Sequence, residues 1–308
     1  MARVAAVDCG TNSIRLLVAD VDPAAGTLAD LDRRMTIVRL GQGVDRTGRL
    51  APEALERTFA ACRDYAKVVQ ELGAERIRFV ATSASRDAEN RDEFVAGVRE
   101  ILGVDPEVVT GEEEANLSFT GATRELAGGD GSETPYLVVD IGGGSSEFVL
   151  GSTDVEAARS VDVGCVRMTE RHLHSDPPSE TEISAARKDI DAAVDRAAEV
   201  VPLERARTLV GLAGSVTTVA AMALDLPEYD SERIHRSRIS ADQVHDVAAR
   251  LLAMTREQRA ALPFMHPGRV DVIGAGALVL ATIVERTGAP EVVVSEHDIL
   301  DGIAWSLV

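Results

Sequence analysis

The 308-residue sequence is poor in basic residues, cysteines and aromatic residues. Lysine and arginine number 32 against 51 aspartates and glutamates, which gives a formal net charge of −19. Affinity for nucleic acid or an anionic membrane depends on clustered lysine and arginine. We therefore expect no nucleic-acid or membrane partner, and an anionic substrate would need a locally basic pocket.

The scarcity of cysteine and of long apolar runs excludes two further classes of protein. Cys9, Cys62 and Cys165 form no CxxC pair, so they predict buried thiols in a reduced cytosol rather than a disulfide framework. No apolar run approaches the length of a membrane span, and the N-terminus shows no signal-peptide pattern. These absences predict a cytoplasmic protein.

The most informative stretch is residues 136–150, YLVVDIGGGSSEFVL. Two apolar runs flank a short loop, a pattern that predicts two buried strands joined by a tight turn. Three successive glycines allow positive φ angles and let backbone N–H groups converge on phosphate oxygens. Asp140 and Glu147 border the loop and could hold a divalent cation against those oxygens. Taken alone, the stretch fits equally well a glycine-rich hairpin whose acids face water.

Residues 4–18 repeat this pattern at the N-terminus. Aligning the leading aspartates, Asp8 and Asp140, superimposes Gly10 on Gly142, Ser13 on Ser145, and Arg15 on Glu147. Two copies in one chain indicate a duplicated unit. We expect the two loops to face each other and to hold a phosphate chain from both sides.

Two further strand ends carry small polar residues. Ser83 and Arg86 follow one predicted strand, and Gly214 and Ser215 follow another. Ligands bind at the carboxyl ends of strands in open α/β sheets, and phosphate binds at helix N-termini. All four residues are therefore candidate phosphate contacts, although a helix cap and a solvated arginine explain the first pair equally well.

An acidic run opens the helix that precedes the central loop. Thr110 and Glu113 have the spacing of a capping box, and carboxylates are favoured in a first helical turn. This accounts for Glu112 and Glu113 but leaves Glu114 without a capping role. A carboxylate at this position could orient or deprotonate a water molecule.

Together these segments resemble a known family. The two Asp-led loops and the Ala-Gly-Ser loop resemble the actin, sugar-kinase and heat-shock-protein ATPase superfamily. Five segments resemble, in chain order, the exopolyphosphatase and guanosine pentaphosphate phosphohydrolase (Ppx/GppA) family: residues 8–15 (DCGTNSIR), 81–86 (ATSASR), 111–115 (GEEEA), 140–147 (DIGGGSSE) and 269–273 (RVDVI).

The resemblance implies an α/β fold of two actin-like (ribonuclease H-like) domains with a phosphate-binding cleft between them. The Gly- and Pro-containing residues 127–135 mark the expected boundary. We place the first domain at residues 1–126 and the second at residues 134–298. A C-terminal helix at about residues 299–308 is expected to pack back on the first domain.

The resemblance also implies roles for individual residues. Glu114 would be the catalytic base. Asp140, Glu147 and Asp8 would hold Mg²⁺, with Mn²⁺ as an alternative. The residues expected to hold phosphate are Asn12, Ser13, Arg15, Ser83, Arg86, Gly142, Gly143, Gly144, Ser145, Ser146, Gly214, Ser215 and Arg269.

The implied activity is Mg²⁺-dependent hydrolysis of the terminal phosphate of inorganic polyphosphate. Long bacterial members carry an additional helical domain at the C-terminus, which this sequence does not contain. Leu300-Asp301-Gly302 stands where many members have Arg-Glu-Gly. Both departures favour short polyphosphate chains as substrate.

Three other functions remain open from the sequence. Guanosine pentaphosphate could be the substrate and guanosine tetraphosphate an inhibitor, although few aromatic residues are available to stack on a nucleobase. A kinase on the same fold would require an adenosine pocket. A sensor that binds polyphosphate or guanosine tetraphosphate without hydrolysis is the third. A homodimer is expected from the resemblance.

Overall fold

A computed structural model of the chain describes residues 1–124, 126 and 131–308. The chain divides into two compact units. Unit 1 comprises residues 1–121 and 299–308, and unit 2 comprises residues 122–298. Unit 1 thus ends at Gly121, before the boundary expected after residue 126. Of the expected boundary segment, residues 127–130 lie outside the described residues.

Unit 1 contains a five-stranded sheet in the order β3-β2-β1-β4-β5. Strands β1, β2 and β3 are antiparallel neighbours, and β4 and β5 run parallel to β1. The strands are β1 (Ala2–Cys9), β2 (Ser13–Asp22), β3 (Thr27–Ile37), β4 (Arg76–Ala81) and β5 (Glu107–Val108). The helices before the unit boundary are α1 (Val44–Thr47), α2 (Pro52–Leu72), α3 (Ser83–Asp87), α4 (Arg91–Leu102) and α5 (Gly111–Thr123).

Unit 2 contains a six-stranded sheet in the order β10-β11-β9-β6-β7-β8. Its strands are β6 (Tyr136–Ile141), β7 (Ser146–Gly151), β8 (Val155–Val161), β9 (Thr208–Leu212), β10 (Arg238–Ser240) and β11 (Glu291–Val294). Its helices are α6 (Cys165–His172), α7 (Glu180–Ala198), α8 (Ala213–Ala223), α9 (Ser231–Ile234), α10 (Ala241–Ala253), α11 (Arg256–Ala260) and α12 (Ile273–Thr287).

The two sheets share one topology. The order β8-β7-β6-β9-β11 in unit 2 repeats β3-β2-β1-β4-β5 in unit 1, with the same parallel and antiparallel neighbours. Strand β10 is added antiparallel to β11 at one edge. The duplication predicted from the two Asp-led stretches is confirmed, and the chain has the two-unit actin-like α/β fold.

Local sequence explains the clearest elements. Pro52 occupies the first turn of α2, and Gly73 ends the helix with a left-handed φ of 68°, as their residue types favour. Every residue of β6 and β7 is buried, which suits their apolar runs. Strand β3 pairs with β2 along its whole length.

The last helix, α13 (Ile299–Trp305), belongs to unit 1 and covers one face of its sheet. Ile299, Leu300 and Ile303 are buried in a cluster with residues of β1, β2 and β4. A Cβ on Gly302 would lie 1.9 Å from the carbonyl oxygen of Leu117, so glycine is required there. No helix in the described part of the chain is long and apolar enough to cross a membrane.

Candidate active site

The hairpin of β1 and β2 places Asp8 directly opposite Arg15. The Arg15 guanidinium donates to Asp8 Oδ2 through Nη2 at 2.7 Å and Nε at 3.0 Å. Both side chains are largely withdrawn from solvent, with 19% and 7% of Arg15 and Asp8 exposed. The predicted metal ligand of unit 1 is therefore already paired with its predicted phosphate-binding arginine.

The loop between β1 and β2 is held from behind by a second segment. The Asn12 carbonyl accepts hydrogen bonds from the N–H groups of Val38 and Arg39, at 3.1 and 2.8 Å. The Thr11 carbonyl accepts from Gly41 N–H at 2.9 Å. A Cβ on Gly41 would lie 2.4 Å from the Thr11 methyl group. The close approach explains the glycine at this position.

The same loop contacts the end of the neighbouring strand. Cys9 and Ala81 are register partners in the parallel pair β1 and β4, so both strands end at one edge of the sheet. Thr11 Oγ1 lies 2.9 Å from Ser83 Oγ, and the two hydroxyls share a hydrogen bond. The structure thus brings Ser83 to the loop that contains Asn12 and Ser13.

Glu114 and Arg86 are in direct contact. Arg86 Nη1 donates to Glu114 Oε2 at 3.2 Å and to the Val109 carbonyl at 3.1 Å. The Glu114 residue is only 8% exposed. Because the Val109 carbonyl anchors Arg86, the arginine in turn limits the orientations open to the Glu114 carboxylate.

Only one of the two hydrogen bonds of the predicted capping box at the start of α5 forms. Thr110 Oγ1 accepts the Glu113 N–H at 3.2 Å. The Glu113 carboxylate instead accepts from Arg78 at 2.6 Å, because a cation on β4 lies within its reach. The interpretation of Glu113 as a capping side chain is therefore wrong.

In unit 2 the equivalent hairpin places Asp140 directly opposite Glu147. These residues are 7% and 1% exposed, and Glu147 Oε1 accepts a hydrogen bond from Ser160 at 2.7 Å. Directly opposed residues of an antiparallel pair have Cβ atoms about 4.5–5.5 Å apart. Two carboxylates at this separation can share one divalent cation.

The donor set fits Mg²⁺ better than a transition metal. Among the described residues, no group of three or more His, Cys, Asp or Glu side chains is arranged to hold a metal ion. Mg²⁺ does not need such a cage, since it is commonly held by one or two carboxylates together with substrate phosphates and water. Asp140 and Glu147 are two carboxylates of the kind that such a site uses.

The loop at residues 142–145 directs its carbonyl groups toward α6. The Gly142 carbonyl accepts the Cys165 N–H at 3.0 Å, and the Gly143 carbonyl accepts those of Val166 and Arg167 at 2.9 and 3.0 Å. Arg167 Nε also donates to the Gly144 carbonyl at 2.6 Å. Within the described residues, the N–H groups of Gly143 and Gly144 have no acceptor. They remain available to an anion, as a phosphate-binding loop requires.

Close packing surrounds this loop, whereas none of its three glycines is among the residues with positive φ. A Cβ on Gly142 would lie 3.1 Å from the Ser145 carbonyl oxygen. A Cβ on Gly164, at the start of α6, would lie 2.5 Å from the carbonyl carbon and oxygen of Gly143. The positive φ angles that the three successive glycines would allow are therefore not adopted in the loop.

The third predicted loop lies at the same edge of the unit 2 sheet. Strands β6 and β9 are parallel, and Asp140 is the register partner of Leu212, so their following loops are neighbours. The Arg269 guanidinium lies against Gly214, where a Cβ would be 2.4 Å from Arg269 Cζ. Arg269 Nη1 donates to Thr218 Oγ1 at 3.1 Å. Gly214 and Arg269, 55 positions apart in the sequence, thus meet.

Ala213 and Ser215 show why the turn between β9 and α8 has its sequence. Ala213 has a left-handed φ of 66°, an uncommon and strained conformation for a residue with a side chain. The Ser215 hydroxyl fits into a notch at Gly276 of α12, where a Cβ would lie 2.3 Å from Ser215 Oγ. The backbone of the loop is thus fixed by packing on both sides.

Three residues of the site were missed by the sequence interpretation. Thr11 lies inside the first glycine loop, and its hydroxyl was an available signal. Arg167 was missed because the sequence interpretation did not predict the helix α6 after Gly164. Tyr229 lies in the polar segment that follows α8, and its ring is 5.9 Å from Arg269 Cζ.

Burial shifts several pKa values near the site. Burial raises the pKa of the Cys9 and Cys165 thiols, and at Cys165 a hydrogen bond with Ser215 and the charge of Arg269 act in the opposite direction. All three cysteines are free and buried, as predicted. Burial, and then the positive charge of Arg269, lower the pKa of His266.

Comparison with known proteins agrees with this geometry. The Ppx/GppA phosphatase family matches residues 17–308. The chain belongs to the Ppx/GppA phosphatase family. It is 54% identical to Exopolyphosphatase 2 of Mycobacterium tuberculosis strain H37Rv over 100% of this chain and 99% of that protein.

Two other Ppx/GppA comparisons extend this result. A crystal structure of an exopolyphosphatase-like protein is 44% identical, with a TM-score of 0.96, and the match covers 99% of this chain and 97% of that one. The guanosine-5'-triphosphate,3'-diphosphate pyrophosphatase of Aeromonas salmonicida strain A449 is 30% identical over 99% of this chain and 59% of that protein. The chain therefore corresponds to only part of that longer relative.

Proposed function

We propose that this Ppx/GppA protein is an exopolyphosphatase that hydrolyses the terminal phosphate of inorganic polyphosphate, with short chains preferred. The central observation is in unit 2, where the N–H groups of Gly143 and Gly144 adjoin the opposed carboxylates Asp140 and Glu147. One site therefore offers donors to phosphate oxygens and ligands to a cation. The 54% identity to Exopolyphosphatase 2 supports this substrate.

In this proposal Asp140 and Glu147 would hold Mg²⁺, and Mn²⁺ is an alternative because it favours the same oxygen ligands. A cation bound there would supply charge neutralisation for the phosphoryl group during transfer. The loop N–H groups, Ser215 and Arg269 bind the remaining phosphate oxygens. Catalysis of this kind depends mainly on positioning and electrostatic stabilisation, which preorganised donors supply.

Glu114 is the residue that would orient the attacking water. Glu114 accepts a proton from that water or aligns it, while Arg86 holds the carboxylate in place through the contact at 3.2 Å. A strong base is not needed, since little proton transfer is required early in a loose transition state. Asn12, Ser13, Arg15 and Ser83 contribute phosphate contacts in the same proposal.

The first test is phosphate release with Mg²⁺ from short polyphosphate, long polyphosphate and guanosine pentaphosphate in parallel. Glu114→Gln should lower kcat by about 10²-fold or more while leaving the melting temperature and polyphosphate binding unchanged. Glu113→Gln is the matched control, because that neighbouring glutamate pairs with Arg78. Unchanged turnover in Glu114→Gln would refute the role of Glu114.

Guanosine pentaphosphate is the second candidate substrate. The activity for which the Aeromonas relative is named favours it, and the same phosphate-binding residues would serve both substrates. Faster phosphate release from guanosine pentaphosphate than from short polyphosphate would select this alternative. Competition by guanosine tetraphosphate would show that the site accepts the nucleotide.

A homodimer is part of the proposal and is tested by light scattering in solution.

A further inference from the structure

A row of three polar side chains crosses the unit 2 sheet beside the glycine loop. Asp140 on β6 is the register partner of Glu147 on β7, which is in turn the register partner of Ser160 on β8. Register partners in antiparallel strands have their side chains on the same face of the sheet. Ser160 Oγ donates to Glu147 Oε1 at 2.7 Å. One of the two opposed carboxylates therefore has a hydrogen-bond donor on its other neighbouring strand.

The duplicated fold contains the equivalent row in unit 1. There Asp8, Arg15 and Met35 are successive register partners on β1, β2 and β3. Arg15 is itself a donor to Asp8, and the methionine at the third position has no hydrogen to donate from its thioether. Of the two rows, the one with opposed carboxylates is thus the one that has a hydroxyl at its third position.

The segment that follows β8 fixes the backbone near Ser160. The Val163 carbonyl accepts a hydrogen bond from Ser146 Oγ at 2.7 Å. Two residues later, Cys165 N–H donates to the Gly142 carbonyl at 3.0 Å. The end of β8 is therefore attached both to β7 and to the glycine loop. The serine hydroxyl is presented to Glu147 from a backbone whose position is set by that loop.

The contact has a direct effect on the orientation of the Glu147 carboxylate. The last torsion of a glutamate side chain is broad, so a donor at Oε1 narrows the range of orientations. Glu147 is 1% exposed, which leaves little water to replace the hydroxyl. Hydrogen-bond partners of metal-binding carboxylates orient these ligands, and losing such a partner typically lowers metal affinity or activity by about 10- to 100-fold.

We propose that Ser160 is a positioning residue for divalent-cation binding, which holds the Glu147 carboxylate in the orientation that a cation needs. The inference rests on the proposed exopolyphosphatase function, in which Asp140 and Glu147 would hold Mg²⁺. It adds to that function a residue that determines metal affinity. It assigns no catalytic role to Ser160.

Ser160→Ala tests this inference because it removes only the hydroxyl. The Kd of Mn²⁺, measured without substrate by electron paramagnetic resonance, should rise about tenfold, as should the Kd of Mg²⁺ from competition. The Mg²⁺ concentration for half-maximal phosphate release should rise by a similar factor, with kcat at saturating Mg²⁺ within about threefold of wild type. Ser160→Thr keeps a hydroxyl and should restore the Kd to within about threefold of wild type.

Ser152→Ala is the matched control, since that hydroxyl donates at 3.2 Å to Glu156, at the other end of β8. It should leave the Kd of Mn²⁺ unchanged. An unchanged Kd in Ser160→Ala would overturn the inference, even with a lower melting temperature, because a purely structural role predicts that pattern. An equal rise in Ser152→Ala would also overturn it.

The same measurements separate this inference from the proposed function. If wild type binds Mn²⁺ and Ser160→Ala weakens that binding, but no phosphate is released from polyphosphate, the positioning role stands and the exopolyphosphatase proposal fails. If wild type releases phosphate but binds neither cation, the positioning role fails and the exopolyphosphatase proposal stands. If wild type does neither, both fail.

Discussion

The two hairpins of the duplicated fold differ at one position, and the difference separates their chemistry. Asp8 faces Arg15 in unit 1, whereas Asp140 faces Glu147 in unit 2. The first pair is compensated by its own salt bridge. The second pair places two carboxylates opposite each other, which is unfavourable unless something positive compensates them. One scaffold thus provides a hairpin with a salt-bridged pair and a hairpin with two opposed carboxylates.

The loops that follow the leading aspartates are supported in a parallel way. In each unit, N–H groups of another segment bind the loop carbonyls, and a glycine in that segment permits the approach. At Gly41 the neighbouring group is the Thr11 methyl, whereas at Gly164 it is the backbone of Gly143. We therefore expect the unit 2 loop to tolerate a larger residue at its supporting glycine less well than the unit 1 loop does.

The largest expected effect tests the charge difference between the hairpins. Asp140→Asn or Glu147→Gln should lower Mg²⁺-dependent kcat by about 10³-fold, because metal coordination contributes several kcal/mol of charge stabilisation. Mg²⁺ should raise the melting temperature of wild type but not of these variants.

Asp8→Asn is the matched control for this first prediction. It should retain the Mg²⁺-dependent rise in melting temperature, because Asp8 is paired with Arg15. Loss of that rise would show that Asp8 shares the ion and that the two hairpins act together on the metal.

The next effect tests whether Arg15 is needed to stabilise unit 1. Arg15→Ala leaves the Asp8 carboxylate buried without its main cation, so unfolding in urea should show a loss of about 3 kcal/mol. The double variant Asp8→Asn/Arg15→Ala should recover part of that loss, since the unpaired charge is then absent. Equal stability of the single and double variants would contradict the charge explanation.

The smallest effect compares the supports of the two loops. Gly164→Ala should destabilise the protein by about 2–3 kcal/mol, because the added methyl meets backbone that cannot rotate away. It should also weaken polyphosphate binding by shifting the loop at residues 142–145. Gly41→Ala should cost about 1 kcal/mol, since the Thr11 side chain can move. Equal losses of unfolding free energy for the two variants in chemical denaturation would contradict the proposed difference between the two loops.

Much of this comparison could be predicted from the sequence. The alignment of Asp8 with Asp140 and of Arg15 with Glu147 correctly predicted two equivalent hairpins, because each stretch has apolar runs on both sides of a short loop. The helix Pro52–Leu72 begins at a proline and is followed by a glycine, residue types that mark helix ends in a sequence. Local patterns determine these features.

The remaining features depend on contacts between distant segments. The start of α6 is fixed by the carbonyls of Gly142 and Gly143, which no local pattern of the helix itself reveals. The hydrogen bond of Tyr229 with Glu296 could not be predicted because the two residues are 67 positions apart in the sequence. Glu113 was assigned to a capping box because its partner Arg78 is contributed by another strand.

The return of α13 to unit 1 has a consequence for the order of folding during synthesis. The apolar cluster that covers one face of β1, β2 and β4 includes Ile299, Leu300 and Ile303, which leave the ribosome after all of unit 2. Unit 2 is continuous in sequence and can form its core first. One face of the unit 1 sheet stays uncovered until α13 has been synthesised. The usual N-to-C order of domain folding is therefore reversed for the completion of unit 1.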